Sequence, residues 1–154
     1  MNMFKISVMI AALAGVIYAI VHLKTGGLPG AGLMQAGELS WCKTRVKSVS
    51  NKLENIAVHQ EGMEWKATAP AARQLEPTYM EKWLGQNCKV KVDGYLDSYV
   101  LPGGQTETVM TFIDDQTTTF LRTEENTFIH QGTTFKSRQL ELALRELFQT
   151  LRQP

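Results

Sequence analysis

Cysteine, histidine and aromatic residues are all scarce: two cysteines, three histidines and 8% aromatics stand among 154 positions. The two cysteines are not spaced Cys-x-x-Cys, which excludes a dithiol redox centre of the usual kind. His-Glu-x-x-His, a phosphate loop ending in Gly-Lys-Ser/Thr and Gly-x-Ser-x-Gly are absent too. The chain therefore carries no zincin helix, nucleotide loop or nucleophile elbow. A length of 154 residues allows one ordinary domain and excludes a multidomain enzyme. No Asn-x-Ser/Thr sequence offers an N-glycosylation site, which suits a bacterial envelope at least as well as a secretory pathway.

An excess of charge of one sign is also missing. Sixteen Lys and Arg face fifteen acidic residues, and the first 37 positions hold only Lys5 and Lys24. The remainder has a net charge of −1. Binding to a phosphate backbone needs a basic surplus, so nucleic acid is not an expected partner.

What the chain does have is an apolar beginning. Ile6 to Leu23 are 18 consecutive positions without a formal charge. As a helix they cover ~27 Å, close to the ~30 Å hydrocarbon core of a bilayer. Residues 1–24 read as a single transmembrane signal anchor, and Lys5 behind a very short tail sets its N-terminus inside and the body outside. The expected location is a bacterial inner membrane with the C-terminal domain in the periplasm. The alternative is a cleaved signal peptide, whose apolar region spans about 7–15 residues before a small-x-small site. Gly30-Ala31-Gly32 fits such a site but lies well past the apolar run. His22, at the end of the run, is placed to reach interfacial water.

Ser7, Ala11, Gly15 and Ala19 repeat at four-residue spacing, one narrow face where a second transmembrane helix can approach closely. That face implies a membrane-protein partner or a second copy of the chain. Residues 25–37 hold five glycines and a proline, too many for a helix interior. They read as a flexible spacer ahead of a domain over 38–154.

Within that domain Leu39, Cys42, Val46, Val49, Leu53 and Ile56 recur at intervals of three and four, predicting an amphipathic helix. Lys43, Arg45, Lys47 and Lys52 would form its outer face, either a solvated surface or a basic one facing anionic lipid headgroups. Met63, Trp65 and Ala67 alternate as a strand does, and Thr78 with Glu81 opens a short helix through Leu84, stopped by Gly85. Cys88 to Val92 alternates, Asp93-Gly94 signals a hairpin, Tyr95 to Leu101 continues extended, and Pro102-Gly103-Gly104 turns the chain. Strands follow over Glu107–Ile113, Thr117–Arg122 and Thr127–His130. A helix from Ser137 to Arg152 closes the chain, with a stripe of Leu140, Leu144, Leu147, Phe148 and Leu151 and a surface pair Glu141–Arg145. The expected fold is α+β: an antiparallel meander packed by an N-terminal and a C-terminal helix in two layers.

In an exported domain Cys42 and Cys88 read as a disulfide pinning helix to sheet. Zinc held by Cys42, Cys88, His59 and His130 has suitable ligand types but none of the close paired spacing of structural sites. Asp114-Asp115 and Glu124-Glu125 fall at opposite ends of one strand, ~30 Å apart, and read as turn charges. The ten threonines between Thr106 and Thr134 read as a solvent-facing sheet surface. His59 and His130 have no nucleophile motif nearby, and no residue is assigned to catalysis, a cofactor or a metal. Anchor, spacer and domain together predict a protein that binds: an accessory or assembly subunit of a membrane complex. A released small-ligand-binding module is the alternative, and an envelope hydrolase using either histidine a remote third.

Overall fold

Alternating apolar and polar residues dominate the body of the chain, and strands dominate its fold. The computed structural model describes residues 36–97 and 105–154. The anchor over 1–24 with Ser7, Ala11, Gly15 and Ala19, the spacer up to residue 35, and the Pro102-Gly103-Gly104 turn lie outside the described residues. Among the described residues no helix is long and apolar enough to cross a membrane.

The strands are β1 (Gly37–Ser40), β2 (Val46–Asn51), β3 (Ile56–Glu61), β4 (Glu64–Ala69), β5 (Arg73–Gln74), β6 (Lys89–Val92), β7 (Gly94–Leu96), β8 (Thr106–Phe112), β9 (Thr117–Glu124), β10 (Thr127–His130) and β11 (Thr133–Lys136). Among the described residues two helices join them, α1 (Tyr79–Asn87) and α2 (Arg138–Arg152). Nine strands form one sheet in the order β5-β4-β3-β2-β8-β9-β10-β11-β7, while β1 and β6 pair separately. Every pairing among the described residues is antiparallel. The expected α+β class with an antiparallel sheet and a C-terminal helix is what the chain adopts.

The helix expected from Leu39 is not formed; β1, β2 and the start of β3 occupy that stretch. The reason lies in β2. Its register against β8 slips between Val46, opposite Phe112, and Ser48, opposite Thr111. This bulge gives Lys47 no partner position and shifts the inward face by one residue, so Val46 and then Val49 are buried, three apart. A bulged strand thus imitates a helical interval. Leu53, which would have continued the stripe, sits in the β2–β3 turn and is 73% exposed.

The Asp93-Gly94 hairpin is likewise not formed. β6 pairs with β1 and β7 with β11, so these residues carry the chain from one sheet to the other. Asp93 instead accepts a bond from the Arg138 N–H at 2.8 Å, serving the first turn of α2. A tight two-residue hairpin falls instead at Gln131 (φ 49°) and Gly132 (φ 77°), between paired His130 and Thr133. It creates β11, a strand absent from the sequence reading. Gly85 also fails to end α1, which runs two residues further.

Both helices and the inward strand residues share one core, which includes Trp41, Val49, Trp65, Met80, Trp83, Met110, Phe120, Leu140 and Leu147. Trp83 Nε1 donates to the Ala143 carbonyl of α2 at 3.0 Å, tying the helices together. Trp41 serves the far end of α1: its Nε1 and backbone N–H donate to the carbonyls of Asn87 and Cys88. Those carbonyls are among the groups a helix end leaves unpaired. Beside them, Cys42 and Cys88 form a disulfide with Cα atoms 5.1 Å apart. The expected staple exists, and it holds the C-terminal end of α1 to the segment after β1.

Candidate functional site

A group of charges lies where α2 meets β9. Ser137 begins this helix by accepting from the Leu140 N–H at 3.1 Å, and the leucine stripe turns its apolar face inward. Glu141 follows in the first turn with only 6% of its surface exposed. Arg122, projecting from β9, grips it through Nε at 2.8 Å and Nη2 at 2.9 Å. The backbone N–H of Asn126 and Nη2 of Arg145 each donate at 3.2 Å. Burial pushes the Glu141 carboxyl up, but the bonds from Arg122, Asn126 and Arg145 outweigh it, and the group sits below its ordinary value. Arg122 is correspondingly raised by its bond to Glu141. The Glu141–Arg145 pair expected from spacing is present, but its carboxylate is buried rather than on the surface.

A cleft of about 240 Å³ opens beside this group. Its walls include Thr106 and Thr108 from β8, Leu144 and Phe148 from α2, and the charged residues Glu54, Arg122, Glu141, Arg145 and Arg152. Arg152 at the end of α2 donates to both the carbonyl and the carboxylate of Glu54 in the β2–β3 turn. That turn is anchored in its turn: Asn51 accepts from the Glu54 N–H at 3.1 Å and donates to the Thr108 hydroxyl at 3.1 Å. The cleft thus joins apolar wall, hydroxyls and three guanidinium groups in one concave place, the arrangement of a small binding site.

The residues singled out in the sequence fall elsewhere. Both cysteines are consumed by the disulfide, so they cannot be zinc ligands with His59 and His130. No cluster of three or more metal-ligating side chains occurs among the described residues. His130 is buried and stacked on Phe120 with ring centroids 4.6 Å apart, its Nδ1 donating to the Thr119 carbonyl at 2.9 Å. His59 stands on β3 with Nε2 2.9 Å from Glu61, whose carboxyl Lys66 and His59 together hold at about 2. The two acidic pairs lie at opposite ends of β9: Asp114 and Asp115 in the turn before it, Glu124 as its last residue and Glu125 in the turn after it.

Lys43, Arg45, Lys47 and Lys52 share no helix face. Lys43 and Arg45 are exposed before β2, Lys47 at the bulge pairs with Asp115, and Lys52 is in the turn at the other end of the strand. Five of the threonines expected in solvent are buried: Thr108, Thr118, Thr123, Thr127 and Thr134. Four of these hydroxyls have partners inside: Thr108 with Asn51, Thr118 with His130, Thr123 with the Thr127 carbonyl and Thr127 with the Glu125 carbonyl.

Sequence reasoning missed Arg122, Glu54 and Arg152 as members of one site. Only the four-residue spacing of Glu141 and Arg145 pointed to it; the other partners lie 19 and 98 positions apart in the chain. Comparison with protein families, curated proteins and solved structures finds no match to this chain.

Proposed function

We propose that this chain is a single-pass, membrane-anchored extracytoplasmic domain that acts by binding, as an accessory or assembly subunit of a larger envelope membrane complex. The observation that carries the reading is the Cys42–Cys88 disulfide. Such bonds persist in oxidising compartments, the side of a membrane to which an N-inside anchor over residues 1–24 delivers the body. The spacer, ending where β1 begins at Gly37, then gives the domain reach, and Ser7, Ala11, Gly15 and Ala19 offer a face to a partner's helix or to a second copy. Lys43, Arg45 and Lys52 are the exposed cations of the basic set available to lipid headgroups. Binding is favoured over catalysis because each candidate reactive group is otherwise engaged: the thiols with each other, His130 with Phe120 and Thr119, His59 with Glu61.

Membrane fractionation and intact-mass measurement without reductant test this reading. Recovery in the membrane fraction with no free thiols is the expected result, and two free thiols in the exported protein would remove its main support. Gly15→Leu should reduce co-purification with a membrane partner from solubilised membranes; unchanged recovery counts against docking through that face.

The cleft beside α2 favours a second reading, a small-ligand-binding module released by cleavage after Gly32. Amino-terminal sequencing separates the two. A start at Met1 or Asn2 supports the anchor, and a start at Leu33 supports release.

A further inference from the structure

The cleft beside α2 holds one positive charge more than it neutralises: Arg122, Arg145 and Arg152 face Glu54 and Glu141. Glu141 is saturated, taking two bonds from Arg122 and one each from Arg145 and the Asn126 N–H. Arg145 gives that carboxylate a single bond at 3.2 Å, is 49% exposed and lines the cleft, leaving further guanidinium donors for another acceptor. Arg152 donates to both the carbonyl and the carboxylate of Glu54, so only the carboxylate's charge competes with an anion for it. Leu144 and Phe148 supply an apolar wall one helical turn long between these charges.

We propose that this cleft binds a carboxylate carrying a short apolar group, the chemistry of a polypeptide C-terminus that ends in an apolar residue. Size and charge both point there. A volume of about 240 Å³ suits a group of amino-acid dimensions, below the ~300–1,000 Å³ of ordinary small-molecule pockets. A surplus of one positive charge matches a monoanion, whereas a dianionic phosphate would meet Glu54 and Glu141 with its second charge uncompensated. Arg145 presents the planar fork that takes a carboxylate through two parallel bonds, and Phe148 with Leu144 covers the attached apolar side chain. The inference rests on the domain being a binding module and names what it grasps on its partner.

The test uses the full chain in lipid nanodiscs and an amino-terminally labelled hexapeptide ending in leucine, read by fluorescence anisotropy. The free-acid peptide is expected to bind at least about tenfold more tightly than its C-terminal amide, a factor of the size a charge-assisted pair supplies. Arg145→Gln, an exposed position whose loss leaves Glu141 its Arg122 and Asn126 bonds, should weaken the acid by a similar factor and leave the amide unchanged. Glu54→Gln removes the competing negative charge while Arg152 keeps its bond to the residue-54 carbonyl, and should tighten the acid several-fold. Equal affinity for acid and amide, or indifference to both variants, overturns the proposal. Hexanoate distinguishes the source of the ligand: competition with the peptide supports the carboxylate site, while binding of hexanoate with none of the peptide refutes a polypeptide end as its occupant. A partner that co-purifies with a chain failing these tests would leave the membrane-subunit reading standing and dispose of the cleft alone.

Discussion

Arg122 and Glu141 form a two-bond pair, 2.8 and 2.9 Å, between the middle of the sheet and the first turn of the closing helix. Glu141 is the buried member and Arg122 the half-exposed one. The pair therefore orients α2 on β9 at a place where an uncompensated charge would be costly.

Arg122→Met should destabilise the domain by about 2–3 kcal/mol. That is less than the ~3–5 kcal/mol of a fully buried broken pair, because Arg122 reaches solvent and Arg145 and Asn126 still serve the carboxylate. Denaturant unfolding of wild type and variant measures it, and a loss under about 0.5 kcal/mol would show the pair to be ornamental to stability.

The same pair sets an acid limit. Because the folded Glu141 carboxyl is held below its ordinary value of 4.5, the unfolded chain takes up that proton first as pH falls. Its contribution is fully present above the ordinary value and is lost as the pH drops through the folded one. Melting temperatures measured from pH 7 to pH 3 should fall below about pH 5, and Glu141→Gln should flatten that decline. A variant with the wild-type slope would place the acid sensitivity in other carboxylates.

Removing the disulfide should cost about 4 kcal/mol in the chain-entropy account, since it closes a loop of 46 positions. A Cys42→Ser, Cys88→Ser double variant, compared by thermal melting with the oxidised protein, gives the number. The same loss on adding reductant to wild type, with none in the variant, attributes it to the bond.

Gly132→Ala should destabilise by about 1 kcal/mol through backbone conformation alone. Its φ is 77°, yet an added Cβ would meet nothing within 4 Å, so no clash contributes. Gly85→Ala is the control: it lies within α1 with equally open space and should stabilise slightly, because alanine favours a helix interior.

The parts of the fold legible in the sequence are those carried by neighbours along the chain. Trp65 and Ala67 of β4, Val90 and Val92 of β6 and the inward Met110 and Phe112 of β8 alternate in sequence and are buried in fact. Leu140, Leu144, Leu147 and Leu151 keep the helical interval and line the core. The bulge at Lys47 was not legible, because one added residue in a strand produces the three-residue spacing of a helix, and only the partner strand β8 distinguishes them. Asp93-Gly94 misled for a related reason: a hairpin signal states what two residues tolerate, while the choice of partner strand depends on β1 and β11, which lie far away in sequence.

Of the candidate site, only Glu141 and Arg145 could be paired in advance, since four residues in a helix is a local distance. The sequence by itself determined the α+β class, the closing helix and a pair of cysteines suited to a single bond. Tertiary structure alone decided that Arg122 and Asn126 reach Glu141, that Arg152 meets Glu54, and that their guanidinium groups line one cleft. The physical reason is range: periodicity and turn chemistry act over a few residues, whereas a buried charge is compensated by whatever the folded chain brings beside it.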